Sequence, residues 1–145
     1  MNDNLTVIGK IHAVLRDEFG NVKQEVGKDN LIVQVGKNFL ANAVLNSSAS
    51  PFTYMAIGTN GTAATLSDTT LGTELVRQVF TSGTVSTNVV TLSTTYSAGV
   101  GTGALQEAGI FNAITSGTML SHVVFSTINK GAADTLTITW TVTVG

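Results

Sequence analysis

Apolar and polar residues alternate without interruption along the C-terminal segment DTLTITWTVTVG, at residues 134–145. A period of two places successive side chains on opposite faces of a β-strand. We expect the apolar face to join the domain core, with Ile138 and Trp140, the single Trp of the chain, among the buried residues. The opposite face is a row of threonines without any charge: Thr135, Thr137, Thr139, Thr141 and Thr143.

The N-terminal quarter has the pattern of a charged β-hairpin. Residues 5–16 alternate and predict a strand, DEFGN predicts a turn, and residues 22–26 predict a short return strand. GKDN at residues 27–30 is typical of a second turn, followed by the short strand LIV. Ten of the sixteen charged residues lie within the first 37 positions. The pattern therefore predicts a charged hairpin or arm at about residues 1–30, which we expect to contact a partner.

One helix is predicted, near residues 35–46, because Val35, Phe39, Leu40 and Val44 recur at helical spacing. Beyond Pro51 the chain has the pattern of strands separated by Gly, Ser and Asn. These strands are expected at residues 52–57, 74–81, 84–96, 105–113 with Phe111 in the core, 119–128 and 135–144. The fold class is therefore mainly β: an antiparallel β-sandwich or jelly-roll-like domain with one short helix, formed as a single domain by residues 1–145.

Composition restricts the functions that the chain can have. Only 11% of its residues are charged, against about 25% in a typical soluble domain. The net charge of −2 provides no basic surface for phosphates, so we expect no nucleic-acid partner. No apolar run is long enough to span a bilayer, and we expect no membrane partner. The chain has no Cys, which excludes disulfides and thiolate metal sites.

The supply of catalytic groups is small, and the chain is not expected to be an enzyme. His12 and His122 have no second His or carboxylate at metal-ligand spacing, so each is interpreted as a surface histidine or a hydrogen-bonded histidine of the sheet. The glycine-rich segment at residues 99–109 lacks the Lys-Ser/Thr pair of a phosphate-binding loop. We therefore predict no catalytic residues, no cofactor and no metal.

The uncharged strand faces remain as the candidate functional surface. Strands at the surface of monomeric β-proteins usually carry Lys or Glu, which prevent edge-to-edge association. A face of Thr137, Thr139 and Thr141 is cheaper to bury against another subunit, because a hydroxyl costs less to desolvate than an ion. The alternative is that Thr only favours the strand conformation on a solvated face.

Two segments carry a series of short motifs in order: FTYMAIGTNGTAATLSDTTLGTELVR at residues 52–77 and LQEAGIFNAITSGTMLSHVVFSTINKGAADTLTITWTV at residues 105–142. The motifs are an aromatic-x-A-I-G-T start, T-L-x-x-E-x-x-R, E-A-G-I-F and a final K-x-x-x-D-T-L-x-I-x-W strand. In order and spacing they resemble a family of small virion structural proteins of tailed bacteriophages. Asn60 departs from the family pattern, which usually runs G-T-G at this point.

The resemblance implies a non-enzymatic virion component, assembled in the bacterial host cytoplasm. Its partners would be further copies of itself and other virion proteins, such as the major capsid protein or tail components. A capsid decoration, or cement, protein is the first assignment, a tail, collar or fibre-associated protein is the alternative, and a carbohydrate-binding module is a third class. Glu74, Arg77 and Glu107 match family positions, and we expect them to fix local geometry through an ion pair or backbone hydrogen bonds.

Overall fold

The computed structural model describes residues 5–145, which form nine antiparallel strands and one helix. The prediction of a mainly β chain with one short helix is confirmed. The helix α1 spans Gln34–Ala43, so it begins one residue before the predicted region and ends three residues before the end of that region. The strands are β1 (Val7–Arg16), β2 (Val22–Ile32), β3 (Tyr54–Gly58), β4 (Glu74–Val79), β5 (Ser82–Ser86), β6 (Val89–Tyr96), β7 (Gly103–Phe111), β8 (Met119–Lys130) and β9 (Thr135–Val144).

The strands form one curled sheet in the order β4-β3-β7-β8-β2-β1-β9-β6-β5. β2 belongs to two halves of this sheet, because most of it pairs with β1 while Leu31 and Ile32 at its end pair with β8. We call β2, β1, β9, β6 and β5 the front half-sheet, and β8, β7, β3 and β4 the back half-sheet. The two edge strands, β4 and β5, follow each other directly in the chain.

The main core lies between the inner faces of the two half-sheets. Trp140 and Ile138 of β9 have no exposed surface and belong to the same apolar cluster as Met55 of β3 and Ile110 of β7. Tyr96 at the end of β6 is also buried, and its hydroxyl donates a hydrogen bond to the Met55 carbonyl oxygen at 2.7 Å. The period of two along β9 therefore supplies the front wall of the core.

A second, smaller apolar cluster lies on the outer face of the back half-sheet. Phe111 is buried in this cluster, with Ala56, Leu71 and Met119, rather than in the main core. Leu71 belongs to residues 59–73, which we call the covering loop because they connect β3 to β4 across this face. The back half-sheet is thus partly covered on its outer face, whereas the outer face of the front half-sheet has no such cover within the described residues.

Two local predictions from the sequence are wrong. Residues 27–30 form no turn, since they lie inside β2 and pair with β1 through Gly27–His12 and Lys28–Ile11; this long-range pairing overrides the turn propensity of GKDN. The strand predicted at residues 84–96 is instead the hairpin of β5 and β6. No Gly marks the turn of this hairpin in the sequence. The positive φ of 55° that the turn needs is adopted by Thr87 instead.

The N-terminal hairpin is an interior part of the sheet. β1 lies between β2 and β9, and its side chains Ile11, Ala13 and Leu15 are buried in the main core. Residues 1–4 of the predicted hairpin or arm lie outside the described residues. In the part of the chain that the structure describes, no helix has the length and hydropathy needed to cross a membrane.

Candidate functional site

The threonine row of β9 lies in the middle of the outer face of the front half-sheet. Thr137, Thr139 and Thr141 are half-buried, because β1 and β6 flank them on either side. Thr137 forms a hydroxyl–hydroxyl hydrogen bond of 3.2 Å with Thr95 of β6. The threonine row is therefore part of a wider surface rather than an isolated stripe.

The wider surface consists of outward-facing side chains of β5, β6 and β9, and it contains no charged residue. Charge on this side of the molecule begins only at β1 and β2, where Lys10 lies 4.0 Å from Asp29 and His12 lies 3.9 Å from Glu25. We call the uncharged part the hydroxyl face. Its residues are Ser82, Thr84, Ser86, Val89, Thr91, Ser93, Thr95, Thr137, Thr139, Thr141 and Thr143.

β5 forms the outer edge of the hydroxyl face. All five of its residues are exposed, and it pairs with β6 alone among the described strands. Val85 points toward the inner side of the sheet, in line with Val90 and Val142, yet 72% of its surface is exposed. The apolar row of the core therefore continues into solvent at this edge.

The opposite edge of the sheet, β4, carries an ion pair. The Arg77 guanidinium donates to both carboxylate oxygens of Glu74, with distances of 2.7 Å from Nη2 to Oε1 and 3.2 Å from Nε to Oε2. The Arg77 side chain is only 7% exposed, whereas that of Glu74 is 34% exposed. A two-pronged contact of this kind fixes the orientation of the guanidinium.

Arg77 also joins β4 to the segment after β7. Its Nη1 donates hydrogen bonds to the carbonyl oxygens of Ala113 at 2.8 Å and Ser116 at 2.9 Å. The guanidinium carbon lies 3.7 Å from the centre of the Phe111 ring, which is a cation–π contact. The Glu74–Arg77 pair thus holds local geometry within one chain.

Glu107 of β7 is completely buried and anchors the covering loop. Its Oε1 accepts hydrogen bonds from the backbone N–H groups of Thr73 at 2.7 Å and Asn60 at 3.3 Å, and its Oε2 accepts one from Gly72 at 2.9 Å. Backbone donors from both ends of the loop therefore converge on a single carboxylate. Such contacts can compensate for the burial of its charge.

His122 of β8 lies between two carboxylates. Its Nε2 is 2.9 Å from Oε2 of Glu107, and its Nδ1 is 2.8 Å from Oδ2 of Asp68 in the covering loop. A neutral imidazole has one N–H, so both contacts are hydrogen bonds only if the ring is protonated or one carboxyl group carries the second hydrogen. This cluster of Asp68, His122 and Glu107 ties the covering loop to the back half-sheet.

Asp68 is held in its ionised form by its neighbours. Burial raises the pKa of Asp68. The N–H and hydroxyl of Thr65 and the ring of His122 donate hydrogen bonds that together lower this pKa by more than burial raises it, so the net pKa lies below its ordinary value. The Thr65 contacts, both 2.8 Å long, lie within the covering loop. They fold the loop back on itself beside His122.

The sequence does not predict this cluster, because no carboxylate lies at ligand spacing from His122 along the chain. Glu107 is opposite Val124 in the β7–β8 pairing, so His122 occupies the diagonal position on the same face. Asp68 reaches His122 from a loop 54 residues away. No local motif marks such a contact, because the sheet register and the path of the covering loop create it.

A shallow depression of about 390 Å³ adjoins this cluster and is lined in part by Asn60, Asp68, Glu107 and His122. Both ring nitrogens of His122 lie within hydrogen-bonding distance of carboxylate oxygens. Within residues 5–145, no group of three or more His, Asp or Glu residues has the arrangement of a metal site. The contacts of Asp68, His122 and Glu107 are those of a structural cluster that joins the covering loop to the back half-sheet.

Comparisons with protein-family models, with curated proteins and with solved structures find no match to this chain.

Proposed function

We propose that this chain is a non-enzymatic structural protein of a bacteriophage virion, a capsid decoration protein that associates through its hydroxyl face. The observation that carries the proposal is the hydroxyl face itself, which extends across three adjacent strands without a charged side chain. The motif resemblance described above supports the assignment to a virion. The partners are further copies of the chain and the major capsid protein.

The physical case depends on the cost of desolvation. Burying an ion without a partner costs far more than burying a hydroxyl, and a Thr hydroxyl can hydrogen-bond to a nearby backbone or side-chain group. Thr95 and Thr137 already hydrogen-bond to each other in this way. A stable protein contact buries on the order of 1,000 Å² or more, and a broad uncharged sheet face suits such a contact.

The proposal is tested by placing one charge on the hydroxyl face. In Thr139→Lys the ammonium group would have to be buried at the contact with the particle, so we expect the protein to be lost from purified virions. The matched control is Thr127→Lys, which makes the same change at an exposed position of β8 in the back half-sheet. Quantitative gel analysis of purified particles measures both variants.

Retention of Thr139→Lys on particles at the wild-type copy number would contradict the role of the hydroxyl face. Equal loss of both variants, with both still folded by circular dichroism, would also contradict it. Negative-stain microscopy of particles labelled with an antibody against the chain then locates it. Label on the head supports the decoration role, whereas label on the tail or collar would replace that role with the alternative assignment.

A further inference from the structure

The free edge of β5 has the features of a self-complementary pairing strand. We propose that β5 pairs antiparallel with β5 of a second copy, around a two-fold axis that passes beside Thr84. In this register Thr84 lies opposite Thr84 of the second copy, Gly83 lies opposite Val85, and Ser82 lies opposite Ser86. The five-stranded front half-sheet would then continue into that of the second copy.

The backbone of β5 is open to such pairing. β5 ends the strand order of the sheet, so the N–H and C=O groups along its outer side pair with no described strand. Proteins usually protect an exposed edge with a charge, a Pro or a bulge. The sequence SGTVS contains neither a charge nor a Pro, and the β5–β6 pairing is regular over all five residues.

The inner side of β5 is complementary to itself in shape. Gly83 is aligned with Leu92 and Val85 with Val90, and both pairs belong to the inner face of the front half-sheet. In the proposed register the side chain of Val85 lies next to Gly83 of the second copy, which has no side chain to obstruct it. The exposed Val85 would thereby join the apolar row of the second copy, in which Gly83 is aligned with Leu92 and Leu92 with Trp140.

The outer side of β5 carries no charge that would repel a second copy. Ser82, Thr84 and Ser86 present only hydroxyl groups, so a two-fold axis brings no like charges together. Cross-strand Thr–Thr and Thr–Ser pairs are favourable in antiparallel sheets. A second copy of the chain therefore satisfies the backbone, the apolar row and the hydroxyl row of this edge at once.

This inference deepens the self-association in the proposed function, and it specifies which strand the two copies share. It does not depend on the virion assignment, since the dimer would form in solution. The hydroxyl faces of the two copies would become one surface of twice the width.

Disulfide trapping tests the register. The natural chain has no Cys, so Thr84→Cys can form only an intermolecular disulfide. Opposed residues of an antiparallel pair have Cα atoms about 4.5–5.5 Å apart, which lies within the range that a disulfide spans. Under mild oxidation we expect Thr84→Cys to form a covalent dimer, while Thr127→Cys, at an exposed position of β8, stays monomeric on non-reducing gels.

Charge exchange tests the two-fold symmetry. Thr84→Lys and Thr84→Glu each place two like charges opposite one another, so analytical ultracentrifugation should show each variant at the mass of the 15.0 kDa chain, and the wild type at twice that mass. An equal mixture of the two variants should recover the dimer, because opposite charges then meet across the axis. Thr127→Lys should remain dimeric like the wild type.

A wild-type chain that stays monomeric at high concentration, or a Thr84→Cys variant that cross-links no better than Thr127→Cys, would overturn the inference. A mixture that fails to recover the dimer would also overturn it. The proposed function fails separately: a wild-type chain that stays monomeric in solution but is present on virions refutes only the pairing, whereas a dimeric wild type that is absent from virions refutes only the virion role.

Discussion

The two edges of the sheet, β4 and β5, are consecutive in the chain but differ in charge and in exposure. β4 carries Glu74 and Arg77, and the Arg77 side chain is held by an ion pair, two carbonyl groups and an aromatic ring of the same chain. β5 carries no charge, and all of its residues are exposed. The charged Arg77 of the β4 edge is thus bonded within its own chain, while the outer backbone groups of the uncharged β5 edge can pair with another chain.

The comparison extends to the faces behind the edges. The back half-sheet is covered by a loop that Glu107 and His122 hold through buried polar contacts. The outer face of the front half-sheet has only hydroxyl groups and methyl groups over β5, β6 and β9. We infer that substitutions of these polar contacts in the back half-sheet mainly lower stability, whereas substitutions on the front edge mainly weaken assembly.

The largest loss of stability is expected from Glu107→Gln. The amide that replaces the carboxylate offers one acceptor oxygen instead of two, while three backbone N–H groups and His122 converge on this position. Removing one partner from a buried charged network typically costs about 3–5 kcal/mol. Urea denaturation should therefore show a decrease of about 3 kcal/mol in the free energy of unfolding.

The matched control is Glu18→Gln, which makes the same substitution at an exposed residue of the β1–β2 turn. We expect it to change the free energy of unfolding by no more than about 0.5 kcal/mol. Equal stability of the two variants would mean that Glu107 does not anchor the covering loop.

A smaller loss is expected from Arg77→Ala, which removes the two hydrogen bonds from Arg77 to the segment after β7 and its cation–π contact with Phe111. A hydrogen bond to a charged group contributes about 1.5–3 kcal/mol, but the ion pair with the partly exposed Glu74 adds little because solvent screens it. The expected decrease in the free energy of unfolding is about 2 kcal/mol, measured by urea denaturation.

Arg77→Lys separates the charge from the geometry. Lys keeps the positive charge but lacks the planar fork that reaches Glu74 and two carbonyl oxygens together, so we expect a stability between those of Arg77→Ala and the wild type. If Arg77→Lys were as stable as the wild type, charge alone would account for the β4 edge.

Much of the fold could be predicted from periodicity. The alternation in β9 correctly indicates an inner face with Trp140 and Ile138, because a strand with one buried face needs that pattern. The break between β5 and β6 could not be predicted, since Thr87 and Asn88 lack the Gly that usually marks a tight turn. Nor could the continuation of β2 through GKDN, which depends on its pairing with β1.

The candidate site also has features that the sequence predicts and features that it does not. The lack of charge on β5, β6 and β9 is visible in the sequence, and so is the isolation of Glu74, Arg77 and Glu107 within a charge-poor region. The partners of Glu107 are not visible, because the backbone N–H groups of the covering loop have no sequence signature. The local sequence pattern therefore predicts the uncharged hydroxyl face. The buried contacts of Glu107 depend on the sheet register and on the path of the covering loop.

The smallest effect on stability, and the sharpest contrast with β4, is expected from Val85→Lys. Val85 is 72% exposed, and a surface substitution of this kind usually changes the free energy of unfolding by no more than about 0.5 kcal/mol. The added Lys gives β5 the protection that natural edge strands use. It would also place an ammonium group beside Gly83 in the apolar row of any second copy, so self-association should weaken by roughly tenfold or more in sedimentation equilibrium. The urea midpoint should stay unchanged when both proteins are measured at concentrations at which they are monomeric, because dimer formation itself adds apparent stability. A loss of stability comparable to that of Arg77→Ala would show that β5 serves the fold as β4 does, and the distinction between a structural edge and an associating edge would then be wrong.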